Sequence, residues 1–125
     1  MSDHRDCVPD YYTPILIASE RTVDERPELV RAFLAATAHG YADAIAEPDA
    51  AAAALLAAAP ELDADLVRAS QAWISPRYRD DAPRWGEQSA SVWNAYSMWL
   101  ADQGVIDAPI DPAAAFTNAF LPTAE

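Results

Sequence analysis

The sequence predicts a mainly α-helical fold that contains one short β-strand. Apolar residues recur at three- and four-residue steps through most of the chain after Thr22, which is the period of an amphipathic helix. Residues 15–19 instead form a consecutive apolar, β-branched run between Pro14 and Glu20, which predicts a strand covered on both faces. Because one strand cannot form a sheet, its partners are expected to come from outside this chain.

Five or six helices are predicted after the strand. Thr22–Glu25 has the spacing of a capping box, and Pro27 suits the first position of a long helix. Asp63 and Asp111 are expected to cap two later helices, and Gly104 is expected to end the aromatic helix that begins near Ser89. The side chains predicted to face a core are Val30, Phe33, Leu34, Ala38, Tyr41, Ile45, Leu66, Val67, Ser70, Trp73, Ile74, Val92, Trp93, Tyr96, Trp99 and Leu100.

The composition limits the classes of function. The chain has 125 residues, enough for one domain, and carries 20 acidic against 8 basic residues, for a net charge of −12. A surface of this sign repels phosphate backbones and anionic lipid, so nucleic acid and membrane are poor candidates for partners. All the basic residues are Arg, and without Lys no Schiff base to a carbonyl substrate or to pyridoxal phosphate is available.

Metal chemistry and membrane insertion are also disfavoured. A single cysteine, Cys7, excludes an internal disulfide and a cysteine-based metal cluster, and His4 and His39 have no ligand partner at suitable spacing. We therefore predict no cofactor and no metal. The longest apolar run, residues 50–59, is too short and too rich in Ala to cross a bilayer, and the polar residues 1–6 do not resemble a secretory signal.

A resemblance to a known family is carried by several blocks in a fixed order. The Arg84–Gln88 block, Arg-Trp-Gly-Glu-Gln, is its most specific part. Taken together the blocks resemble the last part of the thiamine pyrimidine synthase-like solute-binding proteins, relatives of the sulfonate, taurine and nitrate binding components of ABC importers. The blocks are Tyr11–Pro14, Arg26–Leu34, Ala36-Thr37, Gly40-Tyr41, Pro60–Leu62, Ser70-Gln71, Trp73, Arg84–Gln88, Trp93, Trp99, Gly104–Asp107, Ala115–Asn118 and Phe120–Pro122.

The resemblance implies a fragment of a two-lobed α/β fold of the periplasmic binding protein type II class, with ligand held between the lobes. Residues 1–125 would then be a single partial domain, made of a crossover strand and the helices that follow. It further implies a binding function without catalysis: recognition of a thiamine pyrimidine precursor and its delivery to an ABC permease. Such proteins work in the periplasm or outside the membrane, whereas this chain without a signal would be cytoplasmic if expressed as it stands.

Four residues are predicted to contact the ligand. The resemblance places Tyr11 and Tyr12 at the crossover between lobes, where an aromatic ring can stack on a flat pyrimidine. Asp10 is a candidate acceptor for a pyrimidine amino group. Trp85, beside Gly86, is the fourth candidate. Each also has a plainer interpretation: hinge packing for the tyrosines, a solvated carboxylate for Asp10, and anchoring of a connection onto the helices for Trp85.

Two other functions remain open at this stage. The chain could be a fragment of a sulfonate-, taurine- or nitrate-type binding protein, or a helical interaction module that binds no solute. The unpaired strand and the wide apolar helix faces also predict self-association.

Overall fold

The computed structural model describes residues 7–123, and among these it contains helices and connecting segments but no strand. The residues 1–6, including His4 and the segment judged for a secretory signal, lie outside the described part. The elements are α1 (Glu20–Glu25), α2 (Pro27–Ala46), α3 (Pro48–Ala58), α4 (Ala64–Ile74) followed by a 3-10 turn (Ser75–Arg77), α5 (Ala90–Asp102) and α6 (Pro112–Ala115). The prediction of a mainly helical chain is confirmed.

The helix boundaries follow the capping chemistry of the sequence. The Asp63 carboxylate accepts hydrogen bonds from the Asp65 and Leu66 amides at 3.0 and 2.9 Å, and Asp111 caps α6 through the Ala113 amide. Ser89 caps α5 through its hydroxyl, which accepts a hydrogen bond from the Ser91 amide, and the helix begins near Ser89 as predicted. At the other end of α5, Gly104 adopts a positive φ of 69°, which lets the chain leave the helix.

The start of the helical region differs from the prediction. Ser19 rather than Thr22 is the first cap, and its hydroxyl oxygen accepts a hydrogen bond from the Thr22 amide at 3.2 Å. The short helix α1 ends at Arg26, because Pro27 begins a new helix with its ring at the first position. The residues of the expected capping box, Thr22–Glu25, therefore lie inside α1 and do not cap a helix.

Helices α2, α3 and α4 pack on one another and form the best-packed part of the molecule. Ala52 on α3 is buried with 1% of its surface exposed. Gln71 joins α4 to the 3-10 turn and to Tyr78 after it. Its side-chain amide donates to the Ser75 hydroxyl at 2.9 Å, and its side-chain carbonyl accepts from the Tyr78 hydroxyl at 3.2 Å. The polar groups of this region are thus satisfied within it.

Helix α5 packs on α6, and two aromatic contacts attach this part to α2. Trp85, in the connection before α5, stacks on Tyr41 with ring centroids 4.8 Å apart. The Arg31 guanidinium lies 4.8 Å from the centre of the Phe120 ring, a cation–π contact. The connection turns at Gly86, where φ is 79° and an added Cβ would lie 3.1 Å from the Leu121 side chain.

The predicted strand at residues 15–19 is not formed in the described structure. Residues 15–18 have no regular secondary structure and no backbone hydrogen bond to another described residue, and Ser19 serves as the cap of α1. A strand exists only when its amide and carbonyl groups pair with a neighbour, and no neighbour is placed beside this segment. The strand assignment was therefore wrong for this chain taken alone.

Several helix faces predicted to be buried are open. Phe33 is 58% exposed, Leu66 is 69% exposed and Trp73 is 52% exposed. The accessible surface is 9305 Å², whereas a compact monomer of 13.5 kDa is expected to expose about 6500 Å². The helical periodicity was interpreted correctly, but in the described structure several apolar stripes remain uncovered.

Candidate functional site

The first candidate for a ligand contact is a row of stacked aromatic rings that ends at Tyr11. Tyr11 stacks on Tyr96 of α5 with centroids 4.9 Å apart and planes inclined by 18°. Tyr96 in turn stacks on Trp99 at 5.8 Å and 17°. Tyr11 is 52% exposed. A ring supported on one side and open to solvent is suited to stacking against a planar ligand.

Tyr12 fixes the segment that carries this ring. The Ser89 amide donates to the Tyr12 hydroxyl oxygen at 2.7 Å, so Tyr12 is tied to the first turn of α5. The Tyr12 hydroxyl proton is still able to donate to another group. Asp10, one residue before Tyr11, is exposed. Its carboxylate therefore keeps acceptor capacity next to the open aromatic ring.

Trp85 lies elsewhere. It is half-buried and stacks on Tyr41, whose ring also meets Tyr78 edge-on at 4.8 Å. Within residues 7–123 no aromatic contact joins this trio to the row of Tyr11, Tyr96 and Trp99. Asp10, Tyr11 and Tyr12 are consecutive in the sequence. The structure places Trp85 in a separate cluster, where it anchors the connection to α2.

The block Arg84–Gln88, which precedes α5, is held in place by hydrogen bonds and an ion pair. Asn118 donates its side-chain amide to the Gln88 carbonyl at 2.8 Å and accepts from the Gln88 amide at 3.1 Å. The Gln88 side chain accepts from the Trp93 indole at 2.7 Å, and Glu87 pairs with Arg84 at 3.0 Å. Neither Glu87 nor Gln88 caps α5, because Ser89 does so.

A large apolar groove lies on another face and was not foreseen as a site. Its volume is about 860 Å³, within the range of small-molecule pockets. None of the four predicted ligand residues lines it. The walls are the segment 15–18, the side chains of Leu29 and Phe33 on α2, Trp93 on α5, and Phe116 and Phe120 near the end of the chain.

The groove offers few polar groups to orient a solute. Its charged lining residues are Glu20 and Asp24, both on α1, and the Gln88 side-chain carbonyl is already engaged by Trp93. Small-molecule sites combine an apolar lining with several converging polar groups. The consecutive aliphatic residues 15–17, which have no strand partner predicted within this chain, are the signal in the sequence from which this surface could have been foreseen.

The described residues contain no group of three His, Cys, Asp or Glu side chains placed to hold a metal ion. His39 is exposed, 3.7 Å from the Asp43 carboxylate on the next turn. None of the helices between residues 7 and 123 combines the length and the apolar character that a bilayer crossing requires.

Comparison with known proteins connects this geometry to a family. The family described as NMT1/THI5 like matches residues 2–51, which include Tyr11, Tyr12 and one wall of the groove. Over 113 residues, or 86% of this chain, the sequence is 31% identical to the riboflavin-binding protein RibY of Chloroflexus aurantiacus. These two matches make the chain similar to the NMT1/THI5-like family. It spans 32% of the length of that curated relative.

The family assignment agrees with the resemblance found in the sequence and with a fragment of a periplasmic-binding-protein fold. The relative is described as a binding protein, which fits the expectation of a chain that does not catalyse a reaction. A relative of this length implies roughly 240 further residues with no counterpart in this chain, since 113 matched residues are 32% of it. The lone segment at 15–18 and the open helix faces are what a part of such a protein would show.

Proposed function

We propose that this chain is part of a solute-binding protein that recognises a thiamine pyrimidine precursor, with Tyr11 stacking on the pyrimidine ring. The open face of Tyr11, supported by Tyr96, is the observation that carries the proposal. The family relationship supports a binding rather than a catalytic role.

The arrangement around Tyr11 suits a flat ligand with polar edges. Tyr12 holds the segment on α5 through its bond to the Ser89 amide, so the Tyr11 ring is positioned before ligand arrives. Prior positioning reduces the entropy lost on binding. Asp10 is the proposed acceptor for an amino group on the ring, and Trp85 acts from its separate cluster by holding the connection before α5 in place.

Riboflavin is the second candidate solute, because the curated relative is named for binding it. Its ring system is larger than a single pyrimidine but is also planar and carries a pyrimidine-type ring at one end. Stacking on Tyr11 would serve either ligand, whereas a sulfonate or nitrate would not use an aromatic face. Measured binding of each solute therefore decides between the pyrimidine precursor and riboflavin.

The proposed solute site has a second wall besides the one that carries Tyr11. Residues 1–125 form one partial domain, and the second wall of the solute site is contributed by a part equivalent to the unmatched portion of the relative. The intact protein would work outside the cytoplasmic membrane and deliver its solute to an ABC permease. In the absence of the remaining part, we expect the chain to self-associate through its open apolar surfaces.

The test compares the chain alone with a fusion in which it replaces the 113 matched residues of RibY. Isothermal titration calorimetry is performed with hydroxymethylpyrimidine, its formylated amino precursor, riboflavin and taurine. We expect pyrimidine binding by the fusion and no heat of binding by the chain alone. In the fusion Tyr11→Leu should weaken binding by about tenfold or more.

Trp73→Leu is the matched control, because Trp73 is also an aromatic residue 52% exposed but lies on α4. It should leave the affinity unchanged. Riboflavin binding that depends on Tyr11 would replace the pyrimidine with the second candidate. Binding of taurine only, or affinity equally insensitive to Tyr11→Leu and Trp73→Leu, would overturn the proposal.

A further inference from the structure

We infer that the outer face of α4 binds the same face of a second copy of this chain, with the two helices antiparallel. This outer face consists of exposed residues of α4 and the turn after it, namely Leu66, Ala69, Ser70, Trp73 and Arg77. It carries none of the four residues proposed to contact the solute, and it does not line the apolar groove. The inference is therefore independent of the proposed function.

Helix α4 has two apolar sides, of which one is left open. The helix packs on α3, and Val67, Gln71 and Ile74 are among its partly buried side chains. Leu66 and Trp73 lie two helical turns apart on another side of the helix, where they are 69% and 52% exposed. An exposed apolar stripe of this kind marks a surface for association, and its charges select the partner.

The charges along α4 are divided between its two ends. Three carboxylates and no basic residue lie at its start, at Glu61, Asp63 and Asp65. Residues 66–79 contain three Arg and no carboxylate, although the whole chain has a net charge of −12. Arg77 belongs to the outer face, because its guanidinium lies 3.9 Å from the centre of the Trp73 ring. It forms no ion pair with another residue among 7–123.

An antiparallel pair of these helices brings opposite charges together. The two-fold axis passes between Ala69 and Ser70, whose small side chains let the helices approach closely. Leu66 of one copy then lies opposite Trp73 of the other. Each Arg77 comes beside Glu61 of the other copy, since both lie about two helical turns from the axis. A parallel pair in register would instead place like charges together.

The size of the face and the net charge limit the strength of association. Helix α4 has 11 residues and a length of about 16 Å, so the pair buries less than the roughly 800 Å² per partner of a standard interface. The net charge of −12 on each copy opposes association, but at about 0.1 M salt this repulsion is screened beyond about 10 Å. We therefore expect a reversible dimer with a dissociation constant on the order of 10 to 100 µM.

A charge swap, followed by sedimentation velocity of the 125-residue chain at about 1 to 300 µM, tests this arrangement. Glu61→Arg and Arg77→Glu should each weaken the dimer by about tenfold or more, because each places like charges together. The double variant should restore the affinity of the unaltered chain, because it exchanges the two charges. Trp73→Asp should weaken the dimer by about tenfold or more, since it places a charge on the apolar stripe.

Leu55→Asp is the matched control, since Leu55 is an aliphatic residue, 48% exposed, on α3 and away from the groove. It should leave the dissociation constant unchanged. A chain that stays monomeric at the highest concentration, or a double variant as weak as the single ones, overturns the inference. A dimer weakened by Ile17→Asp but not by Trp73→Asp also overturns it, because association would then use the groove. No solute is present, so these outcomes are separate from those that test the proposed function.

Discussion

Two apolar regions of the molecule differ in burial. One is the layer formed by α2, α3 and α4, and the other is the segment 15–18. In the layer, Ala52 is buried and Gln71, Ser75 and Tyr78 satisfy one another. In the segment, equally apolar residues are exposed and their backbone makes no hydrogen bond to another residue among 7–123. The difference is one of sequence distance, because the helices meet neighbours that are close along the chain, whereas a strand needs a neighbour that this chain does not place beside it.

This contrast shows why hydrophobicity alone does not identify a core. Helices satisfy their backbone internally, so α2 and α4 form even where Phe33 and Leu66 remain open to solvent. A strand pairs its backbone amide and carbonyl groups only with those of a neighbouring strand. The helical layer should therefore tolerate little change at buried positions, while the segment should tolerate almost any change in the isolated chain.

The largest expected effect is at the centre of the helical layer. Ala52→Leu should lower the free energy of unfolding by about 2 kcal/mol, because three carbon atoms are added where 1% of the residue surface is exposed. Urea denaturation followed by circular dichroism measures the change. Ala53→Leu, at the next and exposed position of α3, is the control and should change stability little. Equal effects at both positions would show that the layer is not packed as described.

An intermediate effect is expected where the carboxyl-terminal residues meet the connection before α5. Asn118→Ala removes both hydrogen bonds to the Gln88 backbone and should cost about 1 kcal/mol, as measured by thermal and urea denaturation. Asn94→Ala, on the exposed side of α5, is the control and should be neutral or slightly stabilising, because Ala favours helix. A neutral Asn118→Ala would contradict the role given to this pair.

The smallest effect is expected in the segment itself. Ile17→Asp should change the stability of the isolated chain by less than about 0.5 kcal/mol, because its side chain is 87% exposed. A large loss of stability in the isolated chain would mean that Ile17 already packs within it, which would remove the contrast between the two regions.

Much of the local structure could be predicted from the sequence. Asp63, Ser89 and Asp111 carry short side-chain acceptors that satisfy the first amides of a helix, and Gly104 takes the positive φ that ends one. These interactions span two to four residues, so the sequence contains all that they require. The same holds for the family, whose recurring blocks lie along the chain in order.

The candidate site was predictable only in part. Tyr11 and Tyr12 were identified as candidates, but nothing in the sequence indicates that Tyr11 would stack on Tyr96, or that Ser89 would bond to Tyr12 from 77 residues away. Whether these residues and Asp10 contact a ligand stays a prediction. Trp85 was considered both as a ligand platform and as an anchor, and its stacking on Tyr41 supplies the anchor.

The sequence by itself determined the helices, the caps at Asp63 and Asp111, the acidic charge and the resemblance to a family, because each depends on residue type and short spacing. Only the tertiary structure decided which apolar faces are covered, because burial depends on what the rest of the chain places against a face. It left Phe33, Leu66, Trp73 and the segment 15–18 open. For the segment the physical reason is that a backbone without a pairing partner has no sheet to join.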